Sequence, residues 1–185
     1  MNSVDPIRNP QDISNFVNYL KDKNERNYIL ALTGFYSGYR ISDVLKLKVS
    51  DFRNKSSFYF REKKTGKQTK LPINPVLKKA AAEYIESKGL KDDDYMFKSQ
   101  KGYNKPIGRQ RAYAILNEAA KAIGLQGNFG CHTLRKTFGY RYYQETKDIV
   151  TLQMIFNHSS PAVTLIYIGI TQDTINDKMK AFKLF

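Results

Sequence analysis

The sequence contains very little of what disulfide frameworks, metal centres and membrane spans are built from. Its 185 residues include one cysteine, Cys131, two histidines and no tryptophan. A single cysteine cannot form an internal disulfide, and one cysteine with two histidines is too few ligands for a Cys/His zinc site. No stretch approaches the ~20 apolar residues of a membrane-spanning helix. Asp5, Asn9 and Asp12 interrupt the region where a signal peptide would need its apolar core, so we expect a cytoplasmic protein.

Acidic residues are scarce relative to basic ones. The chain has 17 Asp and Glu against 31 Lys and Arg, which gives a net charge of +14 at pH 7. Such an excess favours a polyanionic partner, and nucleic acid is the natural candidate, with a nucleoid-associated location to match. The alternative is a basic surface that serves only solubility, which stays open until the charges are tied to a site. The length fits one domain, on a prior of about 100–200 residues.

Helical periodicity dominates the chain. The predicted helices follow Asn9-Pro10, span residues 28–36 up to Gly38, follow Asn74-Pro75 and span residues 108–123. A further short helix is predicted just after Arg40, with Ser42 or Asp43 as its cap. Arg40 therefore lies at a helix junction, where a salt bridge to Asp43 would be its ordinary structural role.

Between residues 50 and 73 the pattern changes to alternation. Phe58 and Phe60 alternate with polar neighbours, and Lys-Thr-Gly-Lys then turns the chain, which predicts a β-hairpin. We expect it to belong to a small three-stranded antiparallel sheet within a mainly helical α+β fold. The hairpin tip is basic, with Arg61, Lys63, Lys64, Lys67 and Lys70. Taken alone, a charged tip usually serves solubility or protects a sheet edge.

The densest group of chemically capable side chains lies between residues 131 and 167. His132 and Arg135 are three residues apart on a predicted helix, so they can reach one bound group together, and that face suits a phosphate. Ser160 and Pro161 are typical of a helix start, so Tyr167 rides on a short, separate helix. A lone histidine or tyrosine on an apolar face is more often part of a core than of a catalytic site.

The motifs in this region, in their order, resemble the catalytic core of the tyrosine recombinases, the phage integrase family. The sequence has Gly-Tyr-Arg-Ile-Ser-Asp around Arg40, a hairpin lysine, His-Thr-Leu-Arg, a His-Ser-Ser box at His158, and Thr-x-x-Tyr. The order and spacing of these motifs match the family across most of the chain. This joint pattern is much stronger evidence for the resemblance than any single motif. Asn157 stands where most relatives have glycine, but asparagine tolerates positive φ, so the turn can survive.

The resemblance implies a role for each residue. Arg40 and Arg135 would bind the non-bridging oxygens of a phosphodiester, a task that forked guanidinium groups suit. Tyr167 would attack phosphorus to give a 3′-phosphotyrosine and a free 5′-hydroxyl. Because the energy of the phosphodiester is kept in the covalent intermediate, neither a metal nor another cofactor is implied.

Two roles stay open at this stage. The family places a general acid at the hairpin tip, which Lys64 matches best, with Lys67 as the second candidate. His132 and His158 would bind phosphate or move protons, and either could be the base.

The implied function is site-specific DNA recombination, for integration or excision of a phage or mobile element. The alternatives are a type IB topoisomerase, which would cleave and reseal only, and a non-catalytic DNA-binding module. Double-stranded DNA is the expected partner, and we expect residues 1–185 to form a catalytic domain, with the family's N-terminal core-binding domain absent from the chain.

A tail follows Tyr167. Ile175, Met179 and Phe182 repeat at helical spacing, so this apolar stripe must be buried on something. We expect it to pack on the chain's own core in an isolated monomer. The resemblance implies that, on DNA, it mediates self-association by docking on a neighbouring protomer, with Gly169 as a hinge.

Overall fold

The computed structural model describes residues 4–61 and 68–184, and most of them are helical. The elements are α1 (Pro10–Lys23), α2 (Glu25–Ser37), α3 (Ile41–Val44), β1 (Ser57–Arg61), β2 (Gln68–Pro72), α4 (Pro75–Ser87), α5 (Arg109–Ala122), α6 (Cys131–Thr146), α7 (Ile149–Phe156), α8 (Pro161–Ile168) and α9 (Ile170–Ala181). The expected α+β, mainly helical fold is confirmed. No helix in the described residues is both long and apolar enough to cross a membrane.

Helix α2 lies at the centre of the larger of two hydrophobic clusters, which we call the main core. It packs against α1, α4 and α6, so Leu30 and Ala31 are completely buried. Gly34 lets α6 come close, because a Cβ atom at this position would lie 2.8 Å from the Cβ atom of Leu134. The helix ends at Gly38 in the left-handed conformation, with φ of 62°. This junction fixes the end of α2 against the helix that carries the His-x-x-Arg motif.

A second, smaller cluster lies on the other side of α6, and we call it the C-terminal cluster. Its fully buried side chains are Leu152 and Phe156 from α7 and Ile168 from α8. Gly139 permits the close approach, because a Cβ atom there would lie 2.7 Å from Ile168 Cγ2 and 2.8 Å from the Phe156 ring. Helix α6 therefore contacts both clusters.

The sheet differs from the prediction in its number of strands. β1 and β2 pair antiparallel, with Phe58 opposite Leu71, and within the described residues they form a two-stranded sheet rather than a three-stranded one. Lys48 pairs with Tyr95 only as an isolated bridge. The chain turns into a 3₁₀ helix at Val49, so this extended segment ends before a third strand can form.

Candidate active site

Helix α6 brings two predicted site residues to its N-terminal turn. The backbone N–H of Gly130 donates to Thr133 Oγ1 over 3.0 Å, which caps the start of the helix. In this first turn the side chain of His132 is exposed, whereas Arg135, one turn further along the helix, is buried. Desolvation, followed by the positive charges of Arg109 and Arg135, lowers the pKa of His132. The neutral imidazole is therefore the favoured form near neutral pH.

Arg135 joins the two clusters through its guanidinium group. Nη1 donates to the carbonyl of Gly38 over 2.6 Å, and Nη2 donates to the carbonyl of Phe156 over 2.9 Å. The guanidinium also lies 4.1 Å from the centroid of the Phe156 ring. Burial, followed by the charge of Arg40, lowers the pKa of Arg135 to about 10, while Tyr167 acts in the opposite direction. Arg135 thus remains a cation at neutral pH, held in one orientation by backbone carbonyls.

Tyr167 lies beside both residues of the His-x-x-Arg motif. Helix α8 begins as predicted, because Ser160 Oγ accepts the backbone N–H of Val163 and Pro161 occupies the first turn. The Tyr167 hydroxyl lies 3.4 Å from His132 Nδ1, and the Arg135 guanidinium is close enough to lower the pKa of the phenol. Burial raises the pKa of this phenol, while the charge and hydrogen bond of Arg135 and the charge of Arg40 lower it.

His158 packs against the ring of Tyr167. The two rings meet edge to face with centroids 5.0 Å apart, and His158 Nδ1 lies 3.1 Å from Thr164 Oγ1. Asn157, immediately before it, has φ of 50°, so the positive-φ turn does survive the replacement of glycine. Burial, then the charges of Arg135 and Arg40, lowers the pKa of His158 to about 4. This imidazole is therefore neutral above about pH 5.

Arg40 lies at the edge of the same group, and its local structure differs from the prediction. It is itself the N-cap residue of α3, instead of Ser42 or Asp43, and α3 has no side-chain cap. Its side chain is exposed, and within the described part of the chain it forms no ion pair with Asp43. Its positive charge instead contributes to lowering the pKa values of four site residues, which are His132, Arg135, His158 and Tyr167.

The structure brings most of the predicted site together, and it adds residues that the sequence analysis missed. The phenol of Tyr167 lies beside His132, Arg135 and His158. The two candidates for the general acid, Lys64 and Lys67, lie outside the described residues. The missed residues are Phe156, Thr164 and Lys136, whose Nζ lies 5.2 Å from the centroid of the Tyr167 ring. The signal for Lys136 was its spacing of four residues from His132, which places both on one helix face.

The chemistry available here is that of fixed cations around a phenol. In residues 4–61 and 68–184, no three His, Cys, Asp or Glu side chains come together as they would around a metal ion. Arg135 and Arg40 provide forked donors that suit an anionic tetrahedral group. The neutral imidazole of His132 lies beside the phenol and can accept its proton. This arrangement can activate an oxygen nucleophile next to a bound phosphate.

Comparison with known protein families gives one assignment. The family described as "Phage integrase family" matches residues 9–173. The probable integrase/recombinase YoeC of Bacillus subtilis (strain 168) is 48% identical over 182 residues, which cover 98% of each chain. The tyrosine recombinase XerD of Corynebacterium glutamicum is 30% identical over 162 residues, which cover 84% of this chain and 51% of that protein. The chain thus spans nearly all of one relative and about half of the other.

Solved structures share the fold. The crystal structure of the XerA recombinase matches with a TM-score of 0.77 and 22% identity, over 98% of this chain and 67% of that one. The XerH site-specific recombinase, bound to palindromic difH substrate after cleavage, matches with a TM-score of 0.74 and 19% identity, over 96% and 53%. A lambda integrase dimer bound to a core site matches with a TM-score of 0.69 and 18% identity, over 91% and 48%.

Proposed function

The chain belongs to the phage integrase family of tyrosine recombinases, and on that premise we propose that Tyr167 is the nucleophile that cleaves double-stranded DNA. The observation that carries the proposal is the position of the Tyr167 hydroxyl, which lies 3.4 Å from His132 Nδ1 and near the Arg135 guanidinium, whose charge lowers the pKa of the phenol. Attack on phosphorus forms a 3′-phosphotyrosine bond and releases a 5′-hydroxyl. A 5′-hydroxyl from another strand then reverses the step and completes strand transfer.

Arg135 and Arg40 bind the scissile phosphate in this proposal. A guanidinium has five N–H donors, and the two that Arg135 gives to backbone carbonyls fix its plane before DNA arrives. Its remaining donors are then available to the phosphate, which must lie beside the phenol for in-line attack. Arg40 approaches from the start of α3 and adds a second fork. Stabilisation of the transition state by such preorganised charges is usually the largest single contribution to catalysis.

The proton of Tyr167 passes to His132 in the mechanism that the geometry favours. The lowered pKa of His132 leaves its imidazole neutral and able to accept a proton at neutral pH. His158 is also neutral, but its Nδ1 is occupied by Thr164, so we assign it to phosphate binding through Nε2. By the family resemblance we assign protonation of the leaving 5′-oxygen to Lys64, with Lys67 as the alternative.

Double-stranded DNA is the proposed partner, in the cytoplasm at the nucleoid, and residues 1–185 are the proposed catalytic domain. The net charge of +14 supports this partner, and so do the DNA complexes of XerH and lambda integrase. The resemblance to integrases supports integration or excision of a phage or mobile element as the biological reaction. Because lysines and arginines would contact phosphates, affinity for any duplex should fall steeply as the salt concentration rises.

The tail supports self-association on DNA. The expectation that it packs on the chain's own core was wrong, because no described residue of α9 is buried. The apolar stripe instead faces solvent, with Ile175, Met179 and Phe182 exposed by 49%, 65% and 64%. An exposed stripe of this kind is typical of an interaction surface. We therefore propose that the stripe docks on a neighbouring protomer and couples one active site to the next.

Removal of residues 173–185 tests this coupling. Covalent adduct formation on a suicide duplex should persist, while recombination between two sites should collapse. A matched control replaces Lys178 and Lys180 with glutamine, which changes the tail's charge but keeps its apolar stripe. Normal recombination by the truncated protein would contradict docking of the tail on a neighbour.

The nucleophile itself is tested with a duplex nicked near the cleavage site, which traps the covalent intermediate. Tyr167→Phe removes one oxygen atom, so it should abolish the adduct while DNA binding stays within about twofold, since phosphate contacts dominate affinity. Tyr103→Phe is the matched control, because Tyr103 is 96% exposed. Wild-type adduct yield from Tyr167→Phe would move the nucleophile to Tyr140, Tyr142 or Tyr143.

A further inference from the structure

We propose that Lys136 is a positioning residue for Tyr167, which it holds and activates from the face of the phenol ring. The inference rests on the proposed role of Tyr167 as nucleophile. Lys136 follows His132 by one helical turn of α6 and is 9% exposed. Its ammonium nitrogen lies 5.2 Å from the centroid of the Tyr167 ring, within the distance at which a cation interacts with an aromatic face.

The ring of Tyr167 is fixed by contacts of two kinds. Phe156 and His158 meet it edge to face, with centroid distances of 5.6 Å and 5.0 Å. Lys136 adds a cation over the ring. The hydroxyl lies 3.4 Å from His132 Nδ1, apart from these ring contacts. Removing Lys136 therefore leaves the contacts of the hydroxyl in place but opens one side of the ring.

The presence of a buried cation at this position needs a physical reason. Arg135 and Arg40 already make the site positive, and a further ammonium costs free energy through desolvation and repulsion. Burial lowers the pKa of Lys136, and the carboxylate of Asp5 partly restores it. The chain thus keeps a positive charge 5.2 Å from the centroid of the Tyr167 ring, beside a site that is already positive.

Asp5 is itself held in place by the loop before α6. Its backbone N–H donates to the carbonyl of Asn128 over 2.7 Å, and its Oδ2 accepts the backbone N–H of Asn128 over 3.2 Å. The next residues continue along α6, where the N–H of Ile7 donates to Thr137 Oγ1 over 2.8 Å. This N-terminal segment places a carboxylate that supports the protonated state of Lys136.

A cation over the ring face acts on the reaction because a phenolate spreads its negative charge into the ring. Lys136 stabilises this anion more than the neutral phenol, so it lowers the free energy of deprotonation. The Tyr167 proton goes to His132, which becomes an imidazolium, and Lys136 keeps its own proton throughout. The Lys136 ammonium therefore complements Arg135, which stabilises the same anion at its oxygen.

The charged groups around this pair are the ones that a titration must account for. The groups that face Tyr167 are His132, Arg135 and Lys136 from α6, His158 from the turn before α8, and Arg40 from the start of α3. The charge of Asp5 raises the pKa of Lys136, and the charge of Arg8 lowers it. Changing only Lys136 leaves all the others in place, so a difference between variants reports the ring-face charge.

The direct test is the ionisation of the phenol at position 167. Difluorotyrosine, whose phenol ionises at a pH where proteins stay folded, is incorporated there and titrated by fluorine NMR. In Lys136→Met the midpoint should rise by about one pH unit, the size expected for a partly desolvated cation–π contact. Lys136→Arg should restore it, because a guanidinium also stacks on aromatic faces. An unchanged midpoint in Lys136→Met would overturn the proposal.

A matched control uses another lysine that lies over a tyrosine. Lys21 Nζ lies 5.6 Å from the centroid of the Tyr28 ring, a distance similar to that between Lys136 and Tyr167. Lys21→Met should leave the midpoint at position 167 unchanged. If it shifted the midpoint as far as Lys136→Met, the effect would be one of net charge, and the proposal would fail. Should Lys136→Met not fold, Lys136→Gln takes its place.

The second readout is the rate of adduct formation against pH, with natural tyrosine at position 167. Lys136→Met should react about tenfold more slowly than the wild type at neutral pH and should approach the wild-type rate as pH rises, since one pKa unit is tenfold in phenolate. An equal loss at every pH would show a merely structural role. Failure of the wild type to form an adduct would refute the nucleophile, whereas the fluorine titration would still decide the role of Lys136.

Discussion

The two hydrophobic clusters on either side of α6 differ in size and in what they hold. The main core surrounds α2 and includes buried side chains from most of the described chain. The C-terminal cluster has three fully buried side chains, Leu152, Phe156 and Ile168, with half-buried aromatic rings around them. Tyr167, the proposed nucleophile, packs against the smaller cluster. Its helix α8 thus rests on a smaller set of buried side chains than the helices of the main core.

Arg135 connects the two regions. One of its hydrogen bonds goes to the end of α2 in the main core, and the other goes to the end of α7 in the C-terminal cluster. The charge of the same guanidinium lowers the pKa of the Tyr167 phenol. In the proposed mechanism Arg135 would therefore both bind the phosphate and set the position of the cluster that contains Tyr167.

The largest expected effect comes from removing a ring from each cluster. Phe156→Ala and Phe16→Ala each truncate a buried phenylalanine, exposed by 0% and 1%, and each should lower the free energy of unfolding by about 3–5 kcal/mol. Phe156→Ala should also abolish adduct formation per folded molecule, because it removes the ring between Arg135 and Tyr167. Phe16→Ala should retain that activity. Urea unfolding and adduct yield check both, and equal activity in the two variants would contradict the comparison.

A smaller effect is expected from overpacking the two contacts of α6. Gly139→Ala places a methyl group against Phe156 and Ile168, and Gly34→Ala places one against Leu134. Each should cost about 1–3 kcal/mol of stability, partly offset by about 1 kcal/mol of improved helix propensity. Gly139→Ala should reduce the rate of adduct formation by displacing α8, and Gly34→Ala should not. The comparison fails if Gly34→Ala proves the more damaging to catalysis.

Acid should act beside the C-terminal cluster, because His158 packs against Phe156 and Tyr167 there. The folded-state pKa of His158, about 4, is below the ordinary value of 6.5, so the folded protein binds fewer protons between these values. The stability that this group contributes is complete above pH 6.5 and is lost as pH falls towards 4. His158→Asn should therefore lose less stability between about pH 7 and about pH 5 than the wild type. Urea unfolding at both pH values checks this, and parallel losses would contradict it.

The smallest expected effect concerns the ion pair that connects the N-terminal segment to the tail. Arg8 Nε and Nη2 donate to the carboxylate of Asp173 over 2.9 Å and 2.8 Å. Arg8→Ala should change global stability by only about 0.2–1 kcal/mol, but amide exchange in α9 should become faster because its first turn is released. Arg141→Ala, which breaks the exposed pair with Glu145, is the matched control. Equal exchange in α9 for both variants would show that Arg8 does not hold the tail.

The sequence was most informative where local rules decide the structure. The Asn9-Pro10 and Ser160-Pro161 starts, the Gly38 end of α2 and the positive-φ Asn157 were predicted from capping and turn preferences. These signals need only neighbouring residues, so they do not depend on tertiary packing. The family was recognised from motif order, and the match to residues 9–173 confirms it.

Features that depend on distant partners were missed. The pairing of Arg8 with Asp173 joins residues 165 positions apart, and the ring contact of Lys136 depends on how α8 docks. The missing third strand and the exposed tail have the same origin, since periodicity shows that a face is apolar but not what covers it. Arg40 was predicted to be a site residue by resemblance, but its own position as the N-cap of α3, instead of Ser42 or Asp43, was not foreseen.

The most direct test of the account is to locate the covalent bond on the protein. After reaction with the nicked duplex, digestion with nuclease and trypsin yields peptides that separate the candidate tyrosines, because residues 148–178 contain Tyr167 and no other tyrosine. We expect mass spectrometry to find the phosphonucleotide on that peptide alone. Modification of the peptides that carry Tyr140 or the Tyr142-Tyr143 pair, with residues 148–178 unmodified, would contradict the account.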